Sequence, residues 1–289
     1  MLSLKQAIDQ LNAKYPHSAI GAFNFNDMTD MQGVMRAAMH THQPCIMMAS
    51  AGAVSYMGIH FVREMHRAAN MTSTVPLFLM LDHSDSVETC AECIDNGFSL
   101  VMFDGSALPF DENVRRTREV VRVAHARGVL VEAEIGRLPG REEHLDVKEM
   151  DALLTDPREA KEFWEQAGAD LLAISFGTAH GFYKSQPRLN LDVIRATRKL
   201  TDAPLVMHGG TGVPDEDVRA AFGCGVKKVN IGTELKHAYA TSLRETLARL
   251  EKEIDPRKIL GPAREAVQKA VEGRLTVLCT PRVEELVQG

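Results

Sequence analysis

The chain has 289 residues, 45% hydrophobic and 25% charged, with a formal net charge of -6 and a sequence pI near 6.0. That length and composition support a sizeable core, and the acidic balance argues against nucleic acid or an anionic membrane as partner, because both select clustered Lys and Arg. No run is long and apolar enough to span a bilayer, MLSLKQAIDQL carries no signal-like apolar region, and five cysteines do not suit a secreted disulfide framework, so a soluble cytoplasmic protein is expected.

Short apolar runs of strand character alternate with helix-like segments along the whole chain. Strands are expected at 19–25, 45–49, 77–81, 100–103, 130–135, 171–175, 205–208 and 227–231. After the third, SVETCAECIDNG has helical spacing and a glycine stop. Its Cys90 and Cys93 read as partly buried helix residues rather than a metal or redox pair, since no second Cys pair completes a four-thiolate site. In TDPREAKEFWEQAG, Asp156 can cap a helix, Pro157 suits its first position and Gly168 its left-handed end. PDEDVRAAFGCG repeats that grammar. Near-continuous apolar strands separated by amphipathic helices imply a parallel sheet, and eight such units close a (β/α)8 TIM barrel, here one domain spanning 1–289. No G-x-G-x-x-G follows the first strand, which disfavours an open doubly wound sheet. Beyond the eighth strand, ELKHAYATSLRETLARLEKEI and GPAREAVQKAVEGRLTVL read as extra C-terminal helices joined by DPRKIL, suited to covering the barrel or packing on a neighbouring subunit.

Polar residues collect at the carboxyl ends of these strands: Asn24, Ser50, Asp82, His83, Glu134, His208, Asn230 and Thr233, with His180 in the loop FGTAHGFYK. A barrel gathers those ends around one mouth, where such folds build their sites. Three histidines from three ends, with a glutamate from a fourth, suit a catalytic Zn2+ that keeps one position open. His40, His42, His66 and His237 lie beside or within helices and read as ordinary hydrogen-bonded residues. LVMHGGTG places Gly209 and Gly210 directly after His208. A turn free of side chains lets backbone N–H groups approach a phosphate, with the Thr211 hydroxyl as a further donor.

LDHS, VMFDGSALPFDENV, VEAEIG, TDPREAKEFWEQAGADLLAISFGTAHGFYK, LVMHGGTGVP, VNIGTEL and DPRKILGPAREA, in that order, resemble the successive motifs of the class II, zinc-dependent ketose-bisphosphate aldolases. The resemblance covers essentially the whole chain. It implies that His83, His180 and His208 bind one zinc per subunit, that Glu134 holds it in an alternative position, and that a monovalent cation sits near the phosphate. It implies that Asp82 is the acid/base at the C4 hydroxyl and that Glu142 is the mobile-loop group exchanging the carbon-bound proton. Gly181, Lys184, Gly209, Gly210, Thr211, Asn230, Gly232 and Thr233 correspond to positions around the substrate and its C1 phosphate, and Asn24 to a residue that helps hold the enediolate. Ser50 and Arg257 correspond to contacts with the distal anion, Arg257 reaching across a homodimer or homotetramer.

The implied activity is reversible cleavage of a ketose 1,6-bisphosphate, of tagatose or fructose type, to dihydroxyacetone phosphate and an aldehyde. Two departures bear on it. Gly232 stands where many fructose-type members carry Asp or Asn and tagatose-type members often carry a small residue, which tilts the reading towards a substrate other than fructose bisphosphate. Pro139 stands where glycine is usual in the loop of Glu142, and restricts it. Related substrates with a distal carboxylate or sulfonate, an unphosphorylated dihydroxyacetone unit, another metal-dependent barrel hydrolase or isomerase, and a non-catalytic oligomeric accessory role are the alternatives.

Overall fold

The computed structural model describes residues 2–136, 140–142, 145–147, 154–179, 181 and 187–287, with 140–142 and 145–147 described by backbone alone. Helix α1 (Leu4–Lys14) starts at a capping box, in which Ser3 and Gln6 satisfy each other's backbone N–H groups. Then follow β1 (Ile20–Asn24), α2 (Met28–Thr41), β2 (Cys45–Ser50), α3 (Ala51–Met57), α4 (Ile59–Thr72), β3 (Leu77–Ser84), α5 (Val87–Asp95), β4 (Leu100–Phe103), α6 (Phe110–His125) and β5 (Leu130–Ile135). A short antiparallel hairpin, β6 (Gly140–Glu142) with β7 (Leu145–Val147), interrupts the alternation. The chain continues through α7 (Pro157–Ala167), β8 (Leu171–Ile174), α8 (Leu191–Leu200), β9 (Leu205–Met207), α9 (Asp215–Cys224), β10 (Val226–Ile231), α10 (Thr233–Arg249), α11 (Pro256–Leu278) and α12 (Val283–Val287).

The strands close in the order β1-β10-β9-β8-β5-β4-β3-β2, every barrel pair parallel. This is the expected (β/α)8 barrel. Strand parity divides the core in two. One apolar cluster includes the inward Ile20, Ala22, Ile46, Met48, Phe78, Met80, Leu100, Met102, Leu130, Leu171, Ala173 and Val206, joined by Leu4, Ala7, Ile8 and Leu11 of α1. Helix α1 therefore plugs the amino end of the barrel. The other cluster packs the outward residues, such as Met47, Leu79, Val101, Val131 and Leu172, against the surrounding helices.

The helix grammar of the sequence holds where it was legible. Asp156 accepts from Arg158 N, Pro157 opens α7, and Gly168 ends it at φ 72°. The segment DPRKIL is not a joint: Asp255 caps α11, Pro256 takes its first position, and the helix runs on through Pro262. A proline there removes one backbone donor, which packing of the long α11 against α2 and α10 outweighs. Among the described residues, no helix is long and apolar enough to cross a membrane.

Candidate metal and acid–base site

Along several strands the inward residues change from apolar to polar towards the carboxyl end. On β5, Leu130 gives way to Glu132 and Glu134, and on β3, Phe78 and Met80 give way to Asp82. His83 follows Asp82 and by strict alternation would face outward. Instead the ladder to β4 shifts between Leu81 and Ser84, and His83 takes a left-handed φ of 40°. The irregularity re-aims the imidazole into the barrel, as bulges near functional sites commonly do.

His83, Glu134 and His208 thus converge, each buried, with one potential ligand atom from each within 4.8 Å of the others. The two imidazole rings meet edge to face with centroids 4.7 Å apart. Each histidine has one ring nitrogen tied to a carboxylate. His83 Nδ1–H donates to Asp104 Oδ2 at 2.9 Å, and His208 Nε2–H donates to Glu132 Oε1 at 2.9 Å. The opposite nitrogens, His83 Nε2 and His208 Nδ1, therefore carry the lone pairs, and His208 Nδ1 lies 3.6 Å from Glu134 Oε2. Neutral imidazoles oriented by carboxylates, beside a further carboxylate, are the donor set a divalent transition metal requires. The residues fit such an ion.

The electrostatics agree. Burial pushes Asp104 up, but its hydrogen bonds to His83 and to Ser106 outweigh it and hold the carboxyl at about 2. Glu132 is likewise held at about 2, where the adjacent Lys228 ammonium and His208 overcome desolvation. His208 moves down from the usual imidazole value, chiefly through burial, which keeps it neutral.

Asp82 is buried beside these groups, and both its oxygens are held by amide donors. Asn24 Nδ2 donates to Oδ2 at 2.8 Å, and Asn230 Nδ2 to Oδ1 at 3.2 Å. The amides orient the carboxylate as a hydrogen-bond acceptor. Gly232 belongs to the same arrangement: a Cβ there would stand 2.3 Å from Asn24 Oδ1. Ser50 ends β2 and caps α3, its Oγ accepting from Ala53 N at 3.3 Å.

After β9 the chain turns through Gly209 at φ 63° and Gly212 at φ 81°. A Cβ on Gly209 would lie 2.2 Å from the Ala179 carbonyl oxygen, so this turn and the loop after β8 touch backbone to backbone. Gly210 is also closely packed, against a side chain, with Val229 Cγ1 at 2.8 Å from its would-be Cβ. Thr211 Oγ1 accepts from Glu234 N at 3.3 Å, an arrangement that leaves its hydroxyl proton as a donor. Thr233 begins α10, so its N–H belongs to a helix N-terminus, where donors lack intrahelical partners. Gly181 has φ 89° with nothing near its would-be Cβ.

Several expected residues fall elsewhere. His180, Lys184 and Pro139 lie outside the described residues, and Glu142 is described only as the backbone end of β6. Arg257 lies at the start of α11 with its side chain 90% exposed, its guanidinium paired with Asp255. Cys90 and Cys93 are free and buried, with burial pushing both thiols up to about 12, which fits neither a metal nor a redox pair.

Sequence reasoning missed Asp104, Glu132 and Lys228. Strand parity carried a signal for the last two: Glu132 shares a face with Glu134 in LVEAEI, and Lys228 with Asn230 in KKVNI. Charged residues on the inward face of a barrel strand require buried partners.

The model of the family described as "Fructose-bisphosphate aldolase class-II" matches residues 3–280. The chain is 43% identical over 279 residues to a fructose-bisphosphate aldolase from Thermus caldophilus, covering 89% of this chain and 91% of that protein. It is 41% identical over 281 residues to the fructose-bisphosphate aldolase of Geobacillus stearothermophilus, covering 95% and 96%. Among solved structures, the YdjI aldolase from Escherichia coli K12 superposes with a TM-score of 0.85 at 29% identity, covering 98% of this chain and 99% of that one.

Proposed function

Because the chain belongs to the class II fructose-bisphosphate aldolase family and is a carbon–carbon lyase, we propose that it cleaves a ketose 1,6-bisphosphate, of tagatose or fructose type, reversibly and with zinc. The products are dihydroxyacetone phosphate and glyceraldehyde 3-phosphate. The observation that carries this reading is the convergence of His83, Glu134 and His208 beside an Asp82 whose two oxygens are both held. His83, His208 and His180 are the zinc ligands in this proposal, with Glu134 as the alternative ligand, and a monovalent cation sits beside the phosphate. Bound there, the zinc supplies Lewis-acid stabilisation to the oxygens that become negative.

The chain's own groups do the rest. Asp82 accepts the proton of the C4 hydroxyl as the C3–C4 electron pair passes to the dihydroxyacetone fragment, and Asn24 and Asn230 keep it aimed. Glu142 then returns a proton to the carbon of that fragment. Gly209, Gly210 and Thr211, with Gly181, Lys184 and Thr233, hold the C1 phosphate and so orient the breaking bond. Gly232 offers no side chain to the sugar, so the chain lacks one means of distinguishing C4 epimers.

Ser50 and Arg257 meet the distal phosphate, Arg257 from a neighbouring subunit of a cytoplasmic homodimer or homotetramer. The length of α10 supports that geometry: its 17 residues run about 25 Å from Thr233 before the chain turns to Arg257. Two variants test the assignment. His208→Ala is expected to lose bound zinc and triose-phosphate release together, whereas Asp82→Ala keeps the metal and loses cleavage. Zinc-dependent turnover by His208→Ala, or wild-type turnover by Asp82→Ala, would contradict it.

A further inference from the structure

Lys228 lies fully buried in the barrel interior, next to the polar layer but with no place in the chemistry described above. A register shift between Val226 and Lys228 on the β9–β10 ladder turns it inward. Its Nζ is 2.8 Å from Glu132 Oε2 and donates to Asn230 Oδ1. One ammonium therefore joins two polar chains, through an ion pair to Glu132 and a hydrogen bond to Asn230. On one side Glu132 Oε1 accepts from His208 Nε2–H; on the other, Asn230 Nδ2 donates to Asp82.

An ammonium donates and never accepts, so it imposes a direction on both chains. It demands an oxygen from Glu132 and the oxygen, not the nitrogen, of Asn230. With its Oδ1 claimed, Asn230 must turn its NH2 towards Asp82. Asn230 Nδ2 also lies 3.4 Å from His208 Nε2. The shorter Glu132 contact decides the tautomer, placing the proton on Nε2 and the lone pair on Nδ1, the nitrogen facing Glu134. From this geometry we infer that Lys228 is a positioning residue that sets the His208 tautomer through Glu132 and the aim of Asp82 through Asn230. It rests, for its metal consequence, on the zinc reading above.

Paired variants of Glu132 and Lys228 are expected to move the tautomer in opposite directions. In Glu132→Gln, Lys228 still claims the oxygen, so the new amide turns its NH2 to His208 Nε2 and drives the ring to the Nδ1–H form. Removing the ammonium as well, in Glu132→Gln/Lys228→Met, frees the amide to turn its oxygen back. The tautomer is read in metal-free protein by long-range proton–nitrogen NMR of the histidines, which needs neither zinc nor turnover. Wild type is expected to show Nε2–H at His208, the single variant Nδ1–H, and the double variant a mixture. Zinc affinity, from chelator competition, is expected to fall at least about tenfold in the single variant and to recover in part in the double. In the double variant kcat is also expected to fall more than KM rises, because Asn230 no longer holds Asp82.

An Nε2–H tautomer retained in Glu132→Gln, or a double variant no better than the single in tautomer and zinc affinity, would overturn the inference. Should Glu132→Gln not fold, the double variant carries the test, since it leaves no charge unpaired: a single Nδ1–H form there, with the amide still turned without the ammonium, would overturn it. If the tautomers shift as expected in a protein that binds no zinc, the positioning role stands and the zinc reading fails.

Discussion

Gly209→Ala separates the turn proposed to hold the phosphate from ordinary backbone strain, provided a matched control accompanies it. Gly209 sits at φ 63°, and a Cβ there would come within 2.2 Å of the Ala179 carbonyl oxygen. That is roughly 1 Å short of van der Waals contact, and the obstacle is backbone. The left-handed conformation costs an L-residue about 1–2 kcal/mol, and overpacking against a fixed neighbour adds about 1–3 kcal/mol. Gly97 has φ 82° with nothing within 4 Å of its would-be Cβ, so Gly97→Ala incurs the first cost alone. At about 2 °C per kcal/mol for a chain this long, Tm is expected to drop by about 2–4 °C in Gly97→Ala and about 4–10 °C in Gly209→Ala. Relief of the clash must move the Ala179 loop, which leads into His180. In an aldolase assay kcat/KM should therefore fall at least about tenfold for Gly209→Ala and stay at wild type for Gly97→Ala. Equal Tm losses with full activity in both variants would refute the argument.

Other groups give independent readings. A Cβ at residue 232 would displace Asn24 Oδ1, so Gly232→Ala is expected to break the Asn24–Asp82 hydrogen bond and lower kcat by about 10- to 100-fold, the worth of a bond to a charged group; unchanged kcat would show that bond to be idle. Native protein at pH 8 should react with a thiol reagent at Cys279, which is exposed, while Cys45, Cys90 and Cys93, pushed up to about 12 by burial, react only after unfolding. Rapid labelling of any of those three would contradict the packing. Glu132 and Asp104 sit at about 2 in the folded chain, below their ordinary values, so the stability they confer is complete above about pH 5 and is lost as the pH falls towards 2. Urea titrations of the metal-free protein across that window should show a steep loss, and a flat profile would argue against both carboxylate contacts.

The barrel was legible because its strands are almost wholly buried on both faces, leaving continuous apolar runs between capped helices. Ends were less legible: β3 extends to Ser84, and Asp82 and His83 there are held by Asn24 on β1 and by Asp104 just beyond β4, which local pattern cannot display. The hairpin β6–β7 lies in a polar stretch without alternation, and α11 begins through a Pro-containing segment that reads locally as a loop. At the site, the sequence marks polar residues at the strand ends, while of their supports only Glu132 and Lys228 leave a trace, through strand parity. Asp104 follows β4 without any histidine near it in sequence, and its value lies in a contact 21 residues back. His83 faces inward through a left-handed backbone, against the parity that placed its neighbours. Lys228 reads as one of two adjacent lysines until the register shift sends it inside.

The proposed metal-dependent aldol cleavage at the mouth of this barrel is tested most directly by one assay. Triose-phosphate release is followed from fructose- and tagatose-1,6-bisphosphate side by side, before chelation, after chelation, and after zinc is restored. The predicted result is cleavage abolished by chelator and recovered with zinc, with the two rates within about a hundredfold of each other because Gly232 leaves C4 without a dedicated side chain. Cleavage that survives complete removal of metal, or its absence with both sugars in zinc-loaded protein, would contradict it.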